Sequence, residues 1–164
     1  MDYNPKDKQK VTYQGEASDL KDPHGRGVMS FEDNTTYTGN WAEGKMQGFG
    51  IMKFEEDGTY LGEWQNDLPN GFGLLKHDKG DTLMGQWKGF DLDGSSIITF
   101  SDGRQYIGHC KNGIMHGFGI LKGSEGEIIQ GLFKEGELDG WCTVITPDGS
   151  IINGYWKDGK RLTE

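Results

Sequence analysis

The sequence predicts an all-β fold, a single-layer twisted antiparallel β-ribbon built of consecutive hairpins. Three observations predict it. A unit recurs: Tyr37-Thr38-Gly39-Asn40-Trp41, followed by Gly44, Gly48 and Gly50, returns as Tyr60-Leu61-Gly62-Glu63-Trp64 with Gly71 and Gly73. It returns again as Tyr106-Ile107-Gly108 with Gly113, Gly117 and Gly119. The leading glycines fall at Gly15, Gly39, Gly62, Gly85, Gly108, Gly131 and Gly154, a spacing of 24 once and then 23 five times. A period held this tightly is the mark of stacked supersecondary units. Composition is the second observation. With 28 Gly and only 33% hydrophobic residues, and a mean hydropathy of −0.71, the chain is poorly suited to a thick core and to helices. Its five Trp, six Tyr and eight Phe recur at regular places, which argues against disorder. The third observation is local: short segments alternate with period two, and none keeps helical periodicity over three turns.

The elements follow in order. Residues 1–10 (MDYNPKDKQK) are polar and match no unit, so they read as an N-terminal arm; residues 11–164 form the repeat domain, about six and a half units of 23 residues. Unit one, 11–36, keeps Tyr13, Gly15, Gly25 and Gly27 but has Ala17 where later units have Trp. Units two and three, 37–59 and 60–82, are the most regular. Unit four, 83–105, keeps Gly85, Trp87 and Gly94, with Leu83 for Tyr and Ser96 for the second glycine of the Gly-x-Gly pair. Unit five, 106–128, has Cys110 for Trp. Unit six, 129–151, has Ile129 for Tyr, Phe133 for Trp and Cys142 for the last Gly. Ile152-x-Gly154-x-Trp156 closes the chain as a half unit.

Each unit holds two strand candidates, such as 37–41 and 50–54, separated by a run of turn formers at 42–48. Asp57-Gly58, Asp102-Gly103 and Asp148-Gly149 are turn dipeptides. Alternation sorts the side chains onto two faces. Tyr37, Trp41, Tyr60, Trp64, Trp87, Tyr106 and Trp156 share one face and are expected to be structural. Their rings would lie over the bare backbone of glycines such as Gly39, Gly62, Gly108, Gly131 and Gly154, because glycine weakens a strand unless something needs the room. A second stripe takes the other parity. Phe49, Phe72, Phe118 and Trp141 lie between paired glycines; Ile51, Leu74, Ile97 and Ile120 follow two residues on; Leu61, Met84 and Ile107 lie between Tyr and Gly positions. An exposed apolar stripe on a ribbon is an interaction surface, so these eleven are the candidate partner-binding residues.

Charge and motifs narrow the function. A net charge of −9 disfavours nucleic acid and a purely electrostatic hold on anionic lipid, though not a basic partner. There is no apolar run of transmembrane length. His24, His77, His109 and His116 are scattered, no His or Cys pair has zinc spacing, and Asp91-Leu92-Asp93-Gly94 lacks the order of a calcium loop. The Gly-x-Gly pairs precede no helix, so they are not phosphate loops. Cys110 and Cys142 are about 14 Å apart at the usual strand spacing, too far for a disulfide. No catalytic set, cofactor site or metal site emerges.

The pattern Tyr-x-Gly-x-Trp-x-x-Gly-x-x-x-Gly-x-Gly, with a later Asp-Gly, resembles the MORN repeat (membrane occupation and recognition nexus). Tyr37, Gly39, Trp41, Gly44, Gly48, Gly50 and Gly58 carry it in unit two. Tyr60, Gly62, Trp64, Gly71 and Gly73 carry it in unit three, where Asp67 holds a glycine position. Tyr106, Gly108, Gly113, Gly117 and Gly119 carry it in unit five. The resemblance covers about 150 residues and implies a non-catalytic scaffold. Such a scaffold binds a helix or extended segment of a protein partner along a groove, in the cytoplasm, within a cytoskeletal, ciliary or axonemal assembly. Two alternatives stay open. One is a membrane-peripheral phosphoinositide-binding adaptor using Lys6, Lys8 and Lys10 or Lys157, Lys160 and Arg161. The other is a regulatory module of a separate enzyme chain.

Overall fold

The computed structural model describes residues 10–19 and 22–162. The arm expected over residues 1–10 lies outside the described residues except for Lys10, which opens the first strand. Fourteen strands follow in sequence order: β1 (Lys10–Ala17), β2 (Pro23–Phe31), β3 (Thr36–Ala42), β4 (Lys45–Phe54), β5 (Gly58–Gln65), β6 (Leu68–Lys76), β7 (Thr82–Lys88), β8 (Asp91–Thr99), β9 (Gln105–Lys111), β10 (Ile114–Lys122), β11 (Ile128–Lys134), β12 (Glu137–Ile145), β13 (Ile151–Lys157) and β14 (Lys160–Leu162). They form one antiparallel sheet in that same order, so the fold is the ribbon of hairpins that the sequence predicts. Strand β14 extends the closing half unit into a short hairpin. The chain divides into two compact units, one of residues 1–80 with 86–90 and the other of 81–85 with 91–164.

Two turn types alternate along the chain. Inside units two, three, five and six the hairpin closes through two residues that both have positive φ, as at Glu43 (51°) and Gly44 (75°) or Asn112 (49°) and Gly113 (74°). That is the type I′ turn, whose twist matches the strands it joins. Asn66 (51°) and Asp67 (70°) adopt it without glycine, since short polar side chains tolerate this region. Between repeats the chain turns through three-residue loops, with Asp102-Gly103 and Asp148-Gly149 inside theirs and Gly58 already on β5, opposite Phe54. Phe100 N–H donates to Arg104 O at 2.9 Å while Gly103 N–H returns to Phe100 O at 3.0 Å. Turns inside the repeats are also tied to an earlier strand: Gly44 N–H donates to Pro23 O (3.0 Å) and Asp67 N–H to Met46 O (3.1 Å). The second compact unit does the same from Gly113 to Leu92 O (2.9 Å) and from Gly136 to Met115 O (3.0 Å).

In the first unit the core is a ladder of aromatic rings. Tyr37 packs edge-on against Trp41 at 5.1 Å and Trp64 at 5.2 Å; Tyr60 meets Trp64 and Trp87, each at 5.3 Å. Such pairs contribute about 0.5–1.5 kcal/mol each beyond their buried area. Both kinds of ring also place a polar end. Trp41, Trp64 and Trp87 donate Nε1–H to the carbonyls of Gly27, Gly50 and Gly73 at 3.3, 3.3 and 3.0 Å. Tyr37 and Tyr60 donate Oη–H to the carbonyls of Asn40 and Glu63 at 3.1 and 3.3 Å. Each tyrosine arches over two glycines to do so. A Cβ on Gly39 or Gly50 would strike Tyr37, and one on Gly62 or Gly73 would strike Tyr60.

The second unit repeats the arrangement where its sequence allows. Tyr106 covers Gly108 and Gly119, donates to His109 O at 2.7 Å and packs edge-on against Phe133 at 5.5 Å. In units four and six, where tyrosine is missing, the second of the two glycines it would cover is replaced as well. Leu83 goes with Ser96, which is buried and donates Oγ–H to Gly94 O at 3.0 Å; Ile129 goes with Cys142, also buried. At the end of the chain Arg161 lies over Gly154. Its guanidinium stacks 5.8 Å from the Trp156 ring and donates to Asn153 O at 2.8 Å.

Candidate partner-binding face

Side chains of the opposite parity point away from the ladder and stay in contact with solvent. In the first compact unit the ladder register puts Val28, Thr38, Ile51, Leu61 and Leu74 in one row across β2 to β6. Directly opposed side chains in such a row are close enough to touch. A second row runs beside it and holds Arg26 opposite Asn40 and Phe49 opposite Glu63, with Phe72 on β6. Between the rows the backbone line is entirely glycine: Gly15, Gly27, Gly39, Gly50, Gly62 and Gly73 pair in succession. A groove of about 530 Å³ follows this line, walled by Val28, Thr38, Ile51 and Leu61 on one side and by Arg26, Asn40 and Phe49 on the other.

The rings on this face are unusually open for their size. Phe49 is 65% exposed and Phe72 is 59% exposed. Glu63 is held down, since its Oε1 accepts the Phe72 N–H at 2.9 Å. The glycines that open the Gly-x-Gly pairs explain the raised rings. Gly48 has φ 67° and lies where β3 and β4 slip register, so the next side chain is re-aimed by a bulge.

The second unit has rows of the same kind. Ile97, Ile107 and Ile120 are opposed in succession, after which the row turns polar through Gln130, Thr143 and Asn153. There the apolar surface moves to the neighbouring row, where Phe118 faces Leu132 and Trp141 faces Tyr155, which faces Leu162. All five are exposed, Trp141 to 62%.

Ten of the eleven residues expected on this face are therefore exposed: Phe49, Ile51, Leu61, Phe72, Met84, Ile97, Ile107, Phe118, Ile120 and Trp141; Leu74 is half-buried. The first compact unit gathers Phe49, Ile51, Leu61, Phe72 and Leu74; the second gathers Ile97, Ile107, Phe118, Ile120 and Trp141. Val28, Leu132, Tyr155 and Leu162 belong to the same rows and were missed. Leu132 and Tyr155 fill the position between Gly and Trp, which is polar in the regular units, as at Asn40 and Glu63; comparing that position across units would have found them.

The titratable groups describe a structural interior. Burial pushes the phenols of Tyr37 and Tyr60 far above the ordinary tyrosine range, and pushes Tyr106 to about 12. Burial likewise raises the thiols of Cys110 and Cys142, which are free. Among the described residues no three His, Cys, Asp or Glu side chains are grouped as a metal site. No helix among the described residues is long and apolar enough to cross a membrane.

Comparison with known proteins agrees with this architecture. A family model, the MORN repeat, matches residues 22–36, 37–59, 60–82 and 106–128, together just over half of the chain. The unmatched units are those in which Leu83 with Ser96 and Ile129 with Cys142 replace the Tyr–Gly pair. Among solved structures, the chain is similar to the SAS-4 (dCPAP) TCP domain of Drosophila melanogaster, solved in complex with a proline-rich motif of Ana2 (dSTIL). That similarity has a TM-score of 0.53 at 12% identity and covers 91% of this chain and 90% of that one. The TCP10 domain of Danio rerio CPAP aligns over 98% of this chain and 95% of its own at 17% identity, with a TM-score of only 0.29. No curated protein matches the chain. At these identities the likeness to the TCP domain is one of fold, whereas the repeat match covers the residues that build the ladder: the chain belongs to the MORN-repeat family.

Proposed function

We propose that this protein is a non-catalytic scaffold that holds an extended segment or a helix of a partner protein on the open face of its sheet. The observation that carries the reading is the apolar row pattern. Large side chains, Phe49, Phe72, Phe118 and Trp141 among them, stand 55–65% exposed, although the other face already buries the aromatic core. A chain with so few aliphatic residues gains little by placing phenylalanine in water unless another surface covers it. The shared fold of a TCP domain that holds a proline-rich motif supports a protein-interaction module. The MORN resemblance supports a place in a cytoplasmic, cytoskeletal or axonemal assembly.

The lipid-binding alternative rests on basic residues that are in part engaged. Lys157 Nζ lies 2.6 Å from Asp139 Oδ2 and Arg161 is spent on Trp156 and Asn153; Lys6 and Lys8 lie outside the described residues.

The test is native purification of the wild type and of Phe72→Asp with mass spectrometry of what accompanies each. The partner should be lost from Phe72→Asp while the far-ultraviolet circular dichroism stays unchanged. The same partner retained by a folded Phe72→Asp would contradict the reading.

A further inference from the structure

We propose that the groove of the first compact unit takes its partner segment in the left-handed polyproline II conformation, with an apolar residue at every third position, lying across the strands. The inference rests on the docking reading above and adds the form of the occupant. Three features lead to it.

The first is width. The two rows that wall the groove, Val28, Thr38 and Ile51 against Arg26, Asn40 and Phe49, stand two residues apart along each strand, or about 6.7 Å. An α-helix with its side chains is about 10–12 Å across and can only ride above the rings, whereas a single extended chain enters.

The second is period. Phe49 and Phe72 stand two strands apart on β4 and β6, about 9.6 Å at the usual strand spacing. A β-strand presents side chains to one side every 6.7 Å or so, out of step with these rings. Polyproline II advances about 9.3 Å in its three-residue turn, so every third side chain falls beside a ring.

The third is hydrogen bonding. The groove crosses the interior of the sheet, where the backbone groups of β2 to β5 are consumed in their own ladders, so an added strand finds no edge to pair with. The polar side chains in the wall are Arg26, Thr38 and Asn40, and each can donate. A polyproline II segment has no internal hydrogen bonds and offers free carbonyls to such donors.

The test is affinity selection of a random twelve-residue peptide library on the wild-type chain, counter-selected on Phe49→Asp, with Phe49→Ser as a milder variant. Circular dichroism checks that both variants keep the fold. The expected result is a family of peptides with apolar residues three apart, binding the variants about tenfold more weakly. Peptides that depend on Phe49 but carry apolar residues at period two, or at helical spacing, would overturn the polyproline II assignment and leave the docking face standing. Equal enrichment on wild type and variants would overturn both.

Discussion

Tyr37 and Gly50 show the logic of the molecule at the scale of single residues. The phenol lies over the paired Gly39 and Gly50 and reaches the Asn40 carbonyl three residues along its own strand, and only a residue without Cβ leaves it room at Gly39 and Gly50. The chain contains its own control, because Leu83 with Ser96 and Ile129 with Cys142 change both members together. Gly50→Ser should therefore cost about 1–3 kcal/mol by overpacking. Adding Tyr37→Leu should recover part of that loss, so a urea-denaturation double-mutant cycle should give a coupling of about 1–2 kcal/mol. Strictly additive effects would contradict the pairing. The same phenols set a limit in alkali. Their folded pKa values lie above the ordinary 10, with Tyr106 at about 12 and Tyr37 and Tyr60 higher, each chiefly through burial. A raised folded pKa means the stabilisation is complete below pH 10, where both states hold the proton. It is lost as pH climbs through 10 toward 12 and beyond, because the unfolded chain ionises first. Thermal stability should fall across that window and phenolate absorbance should rise cooperatively with unfolding. Gradual ionisation of the buried tyrosines near pH 10 in a folded chain would contradict this.

At the scale of the element, two turn types in alternation hold the register on which everything else depends. The positive-φ pair inside the regular repeats is usually helped by glycine, yet Glu43 and Glu135 occupy it at φ 51° and 52°, a region disfavoured by roughly 1–2 kcal/mol for such side chains. Glu43→Asn should raise stability by about 0.5–1 kcal/mol in chemical denaturation, since asparagine tolerates this conformation; a loss would mean that Glu43 makes a contact outweighing its strain. Strand order and facing were legible in the sequence because glycine and aromatic residues recur with period 23 and side chains alternate with period two. Register was not. The rows that join Ile51 to Leu61 and Leu74 could be traced from the repeat, and the move of the apolar surface to Leu132 and Tyr155 could be traced by comparing the position after the leading glycine across units; where the strands slip by a bulge, as between β9 and β10 and between β11 and β12, no residue type announces on its own. The turn dipeptides were legible as turns, while their place in loops between repeats depends on the backbone bonds around Phe100 and Gly103.

At the scale of the whole molecule, the two faces of one sheet divide the labour. The residues that define the repeat, from Tyr37 and Trp41 to Tyr106, are buried and make the sheet cohere. The apolar residues that recur on the open face are the ones a partner would read under the proposed function. In the first compact unit these are Phe49, Ile51, Leu61 and Phe72; in the second they are Ile97, Ile107, Phe118 and Trp141. The most direct test of this division is hydroxyl-radical footprinting of the protein alone and in its native complex. Phe49, Phe72, Phe118 and Trp141 should react readily in the free protein, and at least one compact unit's pair should be protected in the complex, while Tyr37 and Tyr60 stay unreactive in both. Unchanged reactivity at all four rings, with protection appearing elsewhere on the chain, would contradict the assignment of the open face as the binding surface.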